Sequence, residues 1–95
     1  MNHERKNKIH ELKMWPPFFE EVARGTKKFE FRKYDRDYGV VDVLVLNEWD
    51  PMKSDYTGRM MKVQVLAITI CASGWCCMSI DLISASGFSL MRLRK

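Results

Sequence analysis

The chain has 95 residues, which is enough for one domain and too few for two. Hydrophobic residues make up 46% of it and charged residues 29%, a balance that is typical of a folded globular domain and excludes a disordered chain. The 16 Lys and Arg residues against 12 Asp and Glu residues give a net charge of +4, which favours polyanionic partners without requiring one.

No stretch has the roughly twenty uninterrupted apolar residues of a membrane span. The longest apolar region, residues 63–71, is interrupted by Gln64 and Thr69. The first residues are polar and charged, with no apolar segment behind them that would serve as a signal peptide. The sequence therefore predicts a cytoplasmic protein that has no membrane partner.

The first predicted element is a strand at residues 9–14, which follows a charged N-terminal tail over residues 1–8. Alternation along the strand places His10, Leu12 and Met14 on one face. Because His10 shares that face with two apolar side chains, we expect a core histidine that is satisfied by a hydrogen bond.

A short helix is predicted next. Pro16 and Pro17 end the strand and suit the first turn of a helix, and Gly25 is expected to cap its C-terminus. Between these residues, apolar side chains recur at helical spacing. They are Phe18, Phe19, Val22 and Ala23.

Residues 28–34 alternate strictly, which predicts a second strand. Phe29 and Phe31 fall on one face, and we expect them to lie in the core together with Phe18 and Phe19. The opposite face is predicted to be a charged ladder directed away from the core. Its members are Lys28, Glu30, Arg32 and Tyr34.

A polar loop leads to a strand at residues 43–49, which is dense in β-branched residues and leucine. Residues 50–58 are predicted to be a turn or loop. The long strand at residues 59–71 is apolar on both faces toward its end, as expected of a strand that crosses the middle of a barrel. Another strand at residues 75–80 follows a turn at Gly74.

Residues 82–95 are predicted to be either a final strand or a loosely attached basic tail, so that the domain itself spans residues 9–81. The order of strand, helix and then further strands with short connections indicates an α+β fold. Its sheet is expected to be antiparallel or mixed, and closed or nearly closed on itself as a small β-barrel.

The three cysteines, Cys71, Cys76 and Cys77, are an odd number and lie close together, which fits reduced thiols in a reducing compartment. A zinc site would need a second pair of ligands, and neither His3 nor His10 belongs to a paired motif. We expect the cysteines to be small buried hydrophobes on a strand, and we expect no metal or cofactor.

Three blocks of the sequence form a pattern. They are His10-Glu-Leu-Lys13, then Gly25-Thr-Lys27-Lys-Phe-Glu30-Phe-Arg32-Lys-Tyr-Asp35-Arg36-Asp37, and finally Asp42-Val-Leu-Val-Leu-Asn-Glu48-Trp49-Asp50. Together they resemble the ASCH family of the PUA-like superfamily. Its small stand-alone bacterial and phage members read H-x-L-K, then G-x-K-x-x-E-x-R-x-x-D-R, then G-D-x-L-x-L-x-E-W. The resemblance covers residues 9–58.

The resemblance implies a PUA-like β-barrel with one short helix after the first strand. It also implies a cleft beside the helix, where members of the family are thought to hold RNA or modified nucleosides. The chain departs from the pattern at Val41, where the family has the glycine of a G-D turn. We expect Gly39, two residues earlier, to adopt the unusual backbone angles instead.

The candidate ligand site is a basic cleft in which Lys27, Arg32 and Arg36 contact phosphates, since guanidinium groups offer bidentate geometry. Trp49 would provide a flat surface for a base. The full candidate set is Lys13, Lys27, Glu30, Arg32, Arg36, Glu48 and Trp49. Two plainer interpretations stay open: Glu30 and Arg32 pair with charges across the sheet, or Trp49 covers the end of the barrel.

The function favoured by these residues is binding of RNA or a nucleotide-like ligand by a monomer, with no catalytic residue. One alternative is a hydrolase, because the resemblance extends to an amidohydrolase branch that removes an acyl group from a cytidine base. At the position of Glu30 that branch has a threonine nucleophile; here the hydroxyl is missing, although Glu30 and Lys27 would suit activation of water. A second alternative is a protein-interaction module.

Overall fold

The structure, a computed structural model, describes residues 6–87, so most of the predicted N-terminal tail lies outside it. The described chain is mostly sheet, with one short helix and a single 3-10 turn at Ala72–Gly74. The elements are β1 (Ile9–Met14), α1 (Pro16–Ala23), β2 (Phe29–Lys33), β3 (Val43–Asp50), β4 (Asp55–Cys71) and β5 (Trp75–Ser86).

The strands form one curled half-barrel sheet in the order β1-β3-β4-β5-β2. β1 pairs with β3 in parallel, and the other neighbours are antiparallel. A small, barrel-like α+β fold with a mixed sheet and a helix after the first strand is thereby confirmed. β1 and β2 are the two edges of this sheet. No helix in the described part of the chain is long and apolar enough to cross a membrane.

The core lies between the inner face of the sheet and one side of α1. Along β1 the pattern is the predicted one, because His10, Leu12 and Met14 are buried while the residues between them are exposed. α1 contributes Phe19 and Val22 to the same cluster. Burying these apolar side chains is the main favourable contribution to folding.

α1 begins at Pro16 because the fixed φ of proline suits the first turn, where its missing N–H needs no partner. It ends at Ala23, and Gly25 follows with a φ of +80°. The N–H of Gly25 donates to the carbonyl oxygen of Val22 at 3.0 Å. The predicted glycine cap is confirmed, because glycine adopts this left-handed conformation without a steric cost.

The two faces of β2 are reversed relative to the prediction. Phe29 and Phe31 are 45% and 50% exposed, whereas Glu30 is only 3% exposed. Phe18 on α1 is also exposed. Of the four phenylalanines expected in the core, only Phe19 lies there.

The pairing of β2 with β5 explains the reversal. Glu30 lies opposite Met78 and Arg32 lies opposite Cys76, and both β5 residues belong to the buried core. Directly paired residues share a face of the sheet, so Glu30 and Arg32 point inward, whereas Lys28 and Tyr34, just outside β2, are exposed. Alternation alone separates the two faces of a strand without showing which one is buried.

Two strands are longer than predicted. β4 begins at Asp55, so only the first part of the predicted loop at residues 50–58 is a turn. β5 runs through Ser86, so residues 82–86 complete the last strand. The chain after Gly87, with the rest of the predicted tail, lies outside the described residues.

β4 is not buried on both faces toward its end, as was predicted. Leu66 and Ile70 are both exposed. A β-bulge between Val65 and Ala67 interrupts the pairing with β5, and both Leu66 and Ala67 are exposed there. A half-barrel also leaves the outer face of the sheet without a covering layer.

Val41, rather than Gly39, adopts the unusual backbone angles, so this expectation was wrong. Val41 has a φ of +75°, in the left-handed region that a β-branched residue rarely enters. Backbone hydrogen bonds hold it there: its N–H donates to the carbonyl of Val65 at 2.8 Å, and the N–H of Asp42 donates to the carbonyl of Gly39 at 3.1 Å. The strained backbone conformation therefore lies at Val41, the position where the ASCH pattern has glycine.

Candidate ligand cleft

A cleft of about 600 Å³ opens beside α1 between β1 and β2, the two edges of the sheet. Its walls come from β1 and Trp15 behind it, from α1 and the turn that follows, from β2 and the next loop, and from the start of β5. The lining residues are Leu12, Lys13, Met14, Trp15, Phe18, Lys27, Glu30, Phe31, Arg32, Lys33, Asp35, Arg36, Tyr38 and Trp75.

The lining is both basic and aromatic. Five of its side chains are Lys or Arg and two are Asp or Glu, so the cleft carries a net positive charge. Four of its aromatic side chains are exposed: Trp15, Phe18, Phe31 and Trp75. The rings of Phe31 and Trp75 stack with centroids 5.1 Å apart and an angle of 9° between their planes. Flat apolar surface next to unpaired cations is typical of a ligand site.

Glu30 is the buried carboxylate of the cleft, and it pairs with Arg32 on its own strand. Arg32 Nε donates to Glu30 Oε2, and Arg32 Nη2 donates to the backbone carbonyl of Lys13 at 2.7 Å. The plainer interpretation expected each of these residues to pair with a charge on another strand. An ion pair does form, but between the two residues themselves on one strand. Without Arg32, the buried charge of Glu30 would be strongly destabilising.

Arg36 makes a second link to β1. Its Nη1 donates to the backbone carbonyl of Glu11 at 3.2 Å. In a closed barrel, backbone hydrogen bonds would join the edge strands β1 and β2. Here the side chains of Arg32 and Arg36 reach across to β1 instead. This contact also covers part of the exposed edge of β1.

Lys27 lies at the helix side of the cleft. Its Nζ is 5.1 Å from the ring centroid of Phe18 and 5.3 Å from that of Phe29, within the range of cation–π contacts. Neither Lys27 nor Lys33 forms an ion pair with any residue that the structure describes. Both ammonium groups are therefore available to an anionic ligand.

Trp49 does not line the cleft. Its ring meets the ring of Tyr56 edge-on with centroids 4.9 Å apart, and the Nζ of Lys13 lies 3.8 Å from the Trp49 centroid. Lys13 thus connects the two places, because it lines the cleft and contacts Trp49. The half-buried indole packs at the end of β3, which agrees with the plainer interpretation of this residue.

Glu48 lies in a separate ion-pair cluster. Its carboxylate is 2% exposed and accepts hydrogen bonds from Thr57 Oγ1 and from Arg59, whose Nε and Nη2 lie at 2.8 and 2.7 Å. Arg59 Nη2 also reaches Glu20 Oε2 on α1 at 2.8 Å. The hydrogen bonds from Arg59 lower the pKa of Glu48, and the same bonds raise the pKa of Arg59. The cluster ties α1 to β3 and β4.

His10 is a core histidine, as predicted. Its Nε2 lies 2.8 Å from Oδ2 of the fully buried Asp42, and its ring lies against that of Tyr38 with centroids 4.7 Å apart. Asp42 also accepts the backbone N–H groups of Lys8 and Gly39, each at 3.0 Å. Burial raises the pKa of the Tyr38 hydroxyl.

Only one of the three cysteines is buried. Cys76 has no exposed surface, and burial raises the pKa of its thiol, whereas Cys71 and Cys77 are half-buried. The prediction of buried cysteines is therefore confirmed for Cys76 alone. Within residues 6–87, no group of His, Cys, Asp and Glu side chains is placed to hold a metal ion.

The cleft brings together most of the predicted site residues, namely Lys13, Lys27, Glu30, Arg32 and Arg36, and leaves out Glu48 and Trp49. Sequence reasoning missed its aromatic surface. Trp15 precedes α1 next to Pro16, and Trp75 begins β5 next to Gly74. An aromatic residue at the start of an element was the feature of the sequence that could have indicated an exposed ring. Phe31 was noticed but placed on the wrong face.

Comparison with known proteins places this fold in a family. The family described as a domain of unknown function, DUF3850, matches residues 9–80, which include every residue that lines the cleft. The chain is also 40% identical over 62 residues to a protein of Escherichia phage P2 that is named an uncharacterized 12.9 kDa protein in the GpA 3′ region. That match covers 65% of this chain and 55% of the phage protein. The chain belongs to the DUF3850 family.

Proposed function

We propose that the cleft binds RNA or a nucleotide-like ligand, on a PUA-like barrel of the ASCH type. The observation that carries this proposal is the presence, in one cleft, of five basic side chains and four exposed aromatic rings. Phosphate groups are bound by Lys and Arg, and unpaired bases stack on aromatic side chains. The volume of about 600 Å³ suits a ligand of nucleotide size.

The charges of the cleft support an anionic ligand. Among the residues described, Lys27 and Lys33 have no ion-pair partner, and the ammonium group of Lys13 contacts only the rings of Trp49 and Tyr56. Three ammonium groups are thus free to contact phosphates. Arg32 and Arg36 are partly engaged with β1, so they hold the walls of the cleft as well as adding positive charge.

The lining favours binding over covalent catalysis. None of the residues described as lining the cleft is Ser, Thr, Cys or His, so the cleft has no aliphatic hydroxyl, thiol or imidazole nucleophile. Glu30 is held by Arg32 in an ion pair, which suits a fixed acceptor better than a general base.

Binding of labelled single-stranded RNA, followed by fluorescence anisotropy over a range of salt concentrations, tests the proposal. We expect the double variant Lys27→Ala/Lys33→Ala to bind more weakly and to lower the log-log salt slope by about one to two, since each lost phosphate contact lowers it by roughly one. Lys53→Ala/Lys62→Ala removes the same charge from exposed positions outside the cleft. If this control weakens binding equally, net charge rather than the cleft is responsible.

A further inference from the structure

The ion pair between Glu30 and Arg32 leaves one hydrogen-bonding atom of each partner unused. Arg32 uses Nε for Glu30 Oε2 and Nη2 for the carbonyl of Lys13. In the part of the chain that the structure describes, Glu30 Oε1 and Arg32 Nη1 have no polar partner. One acceptor and one donor therefore remain next to each other on the inner face of β2.

The unused acceptor faces the cleft. Every fully buried side-chain nitrogen or oxygen among the described residues has a hydrogen-bond partner. Because Glu30 Oε1 has none, it must belong to the small part of this side chain that is exposed, which is 4% of its surface. Glu30 lines the cleft, so that exposed surface is cleft surface. With no donor from the described part of the protein, this oxygen takes its hydrogen bond from water or from a ligand in the cleft.

A phosphate cannot supply that donor. Both groups are acceptors, and both carry negative charge at neutral pH. The ligand atoms that meet Glu30 must instead carry N–H or O–H donors, while the phosphates go to the free lysines. In RNA these donors are the base edges and the ribose hydroxyls. A donor for Glu30 Oε1 with a separate acceptor beside it for Arg32 Nη1 is the pattern of a base edge.

We propose that Glu30 and Arg32 read the edge of an unpaired nucleobase, an inference that rests on the proposed function and names its ligand class. Oε1 of Glu30 accepts a base N–H, and Nη1 of Arg32 donates to a ring nitrogen or carbonyl oxygen beside it. The exposed aromatic rings of the cleft contact the face of the base. The ligand is therefore single-stranded RNA, because duplex pairing occupies the Watson–Crick edges of its bases and the A-form major groove is too narrow for side chains to read.

The substitution Glu30→Gln tests this assignment, because two explanations predict opposite signs. It removes one negative charge while keeping the shape of the side chain and an oxygen for Arg32. If Glu30 only repels the RNA backbone, every oligonucleotide binds more tightly to the variant. If Glu30 accepts a base N–H, binding becomes weaker wherever a base is present, by about tenfold or more for a charge-assisted contact.

Fluorescence anisotropy with labelled RNA hexamers of A, C, G and U, and with an abasic hexamer, separates these outcomes. We expect Glu30→Gln to weaken the tightest hexamer and to leave the abasic one unchanged or bound more tightly. Glu21→Gln is the matched control, since Glu21 is an exposed carboxylate of α1 outside the cleft, and it should change neither affinity. Tighter binding of all hexamers to Glu30→Gln would overturn this inference and leave the proposed function standing.

A measurement on the unmodified protein covers the case in which the variant fails to fold. The tightest hexamer is compared with the same hexamer annealed to its complement. We expect the single strand to bind about tenfold or more tightly, because the duplex hides the Watson–Crick edges of the bases. Equal binding of the two forms would overturn the inference. If no hexamer binds at all, the proposed function fails and this inference fails with it.

Discussion

The ion-pair cluster of Glu48 and Arg59 gives a stability prediction whose size follows from burial. Glu48 is almost fully buried and Arg59 supplies two of its three side-chain hydrogen bonds. Replacing Arg59 with Met leaves a desolvated carboxylate with Thr57 alone. Loss of one partner of a buried pair costs about 3 to 5 kcal/mol. Because Arg59 is itself 28% exposed, water can reach the gap, and we expect the lower end, about 3 kcal/mol.

Urea denaturation at pH 7, followed by tryptophan fluorescence, measures this cost. The control is Arg24→Met on α1, whose ion pair with Glu20 is long, at 3.7 Å, and exposed, so that its loss should cost less than about 0.5 kcal/mol. In the double variant Glu48→Gln/Arg59→Met the penalty should be smaller than the sum of the single ones, because no buried charge remains. A cost below about 1 kcal/mol for Arg59→Met would refute this account of Glu48.

Acid should weaken the same cluster. Its hydrogen bonds hold the pKa of Glu48 below the ordinary value of 4.5. A lowered folded-state pKa means that the carboxylate stabilises the fold above pH 4.5 and that this stability is lost as the pH falls through the folded pKa. Glu48→Gln should therefore show a flatter decline in stability below pH 4.5. If Glu48→Gln and the unmodified protein lose stability identically as the pH falls, the pKa of Glu48 is not lowered in the folded state.

Two further stability predictions follow from the fold. Phe31→Ala should cost less than about 1.5 kcal/mol in urea denaturation, because half of the ring is exposed, whereas Phe19→Ala should cost about 3 to 5 kcal/mol; equal costs would contradict the reversed orientation of β2. Val41→Gly should raise the midpoint of thermal unfolding, because relief of a left-handed valine is worth roughly 1 to 2 kcal/mol and exceeds the entropic cost of glycine. A clear fall in that midpoint would show that Val41 is not strained.

The sequence predicted an element correctly where the residues that determine the element lie close together in the chain. The alternation of residues 9–14, the two prolines that begin α1 and the glycine that caps it act within a few residues. The basic half of the cleft was also predictable, because Lys27 and Arg32 come from one short segment that runs from the turn after α1 into β2.

Long-range pairing decided what the sequence could not show. The inward face of β2 is set by its register with β5, and Arg32, two residues along the same strand, neutralises Glu30 there. Glu48 was grouped with the cleft because it follows the same motif. Its partner, Arg59, comes from β4, and no local pattern connects the two.

The indole N–H signals of the three tryptophans give the most direct test of the cleft as the nucleic-acid site. Trp15 and Trp75 line the cleft, whereas Trp49 lies outside it and touches it only through Lys13, so Trp49 reports a smaller, indirect change. We predict that titration with a single-stranded RNA hexamer, followed by ¹H–¹⁵N NMR, shifts the signals of Trp15 and Trp75 more than that of Trp49. Saturating binding that leaves Trp15 and Trp75 unshifted, or that moves Trp49 most, would contradict the proposed site.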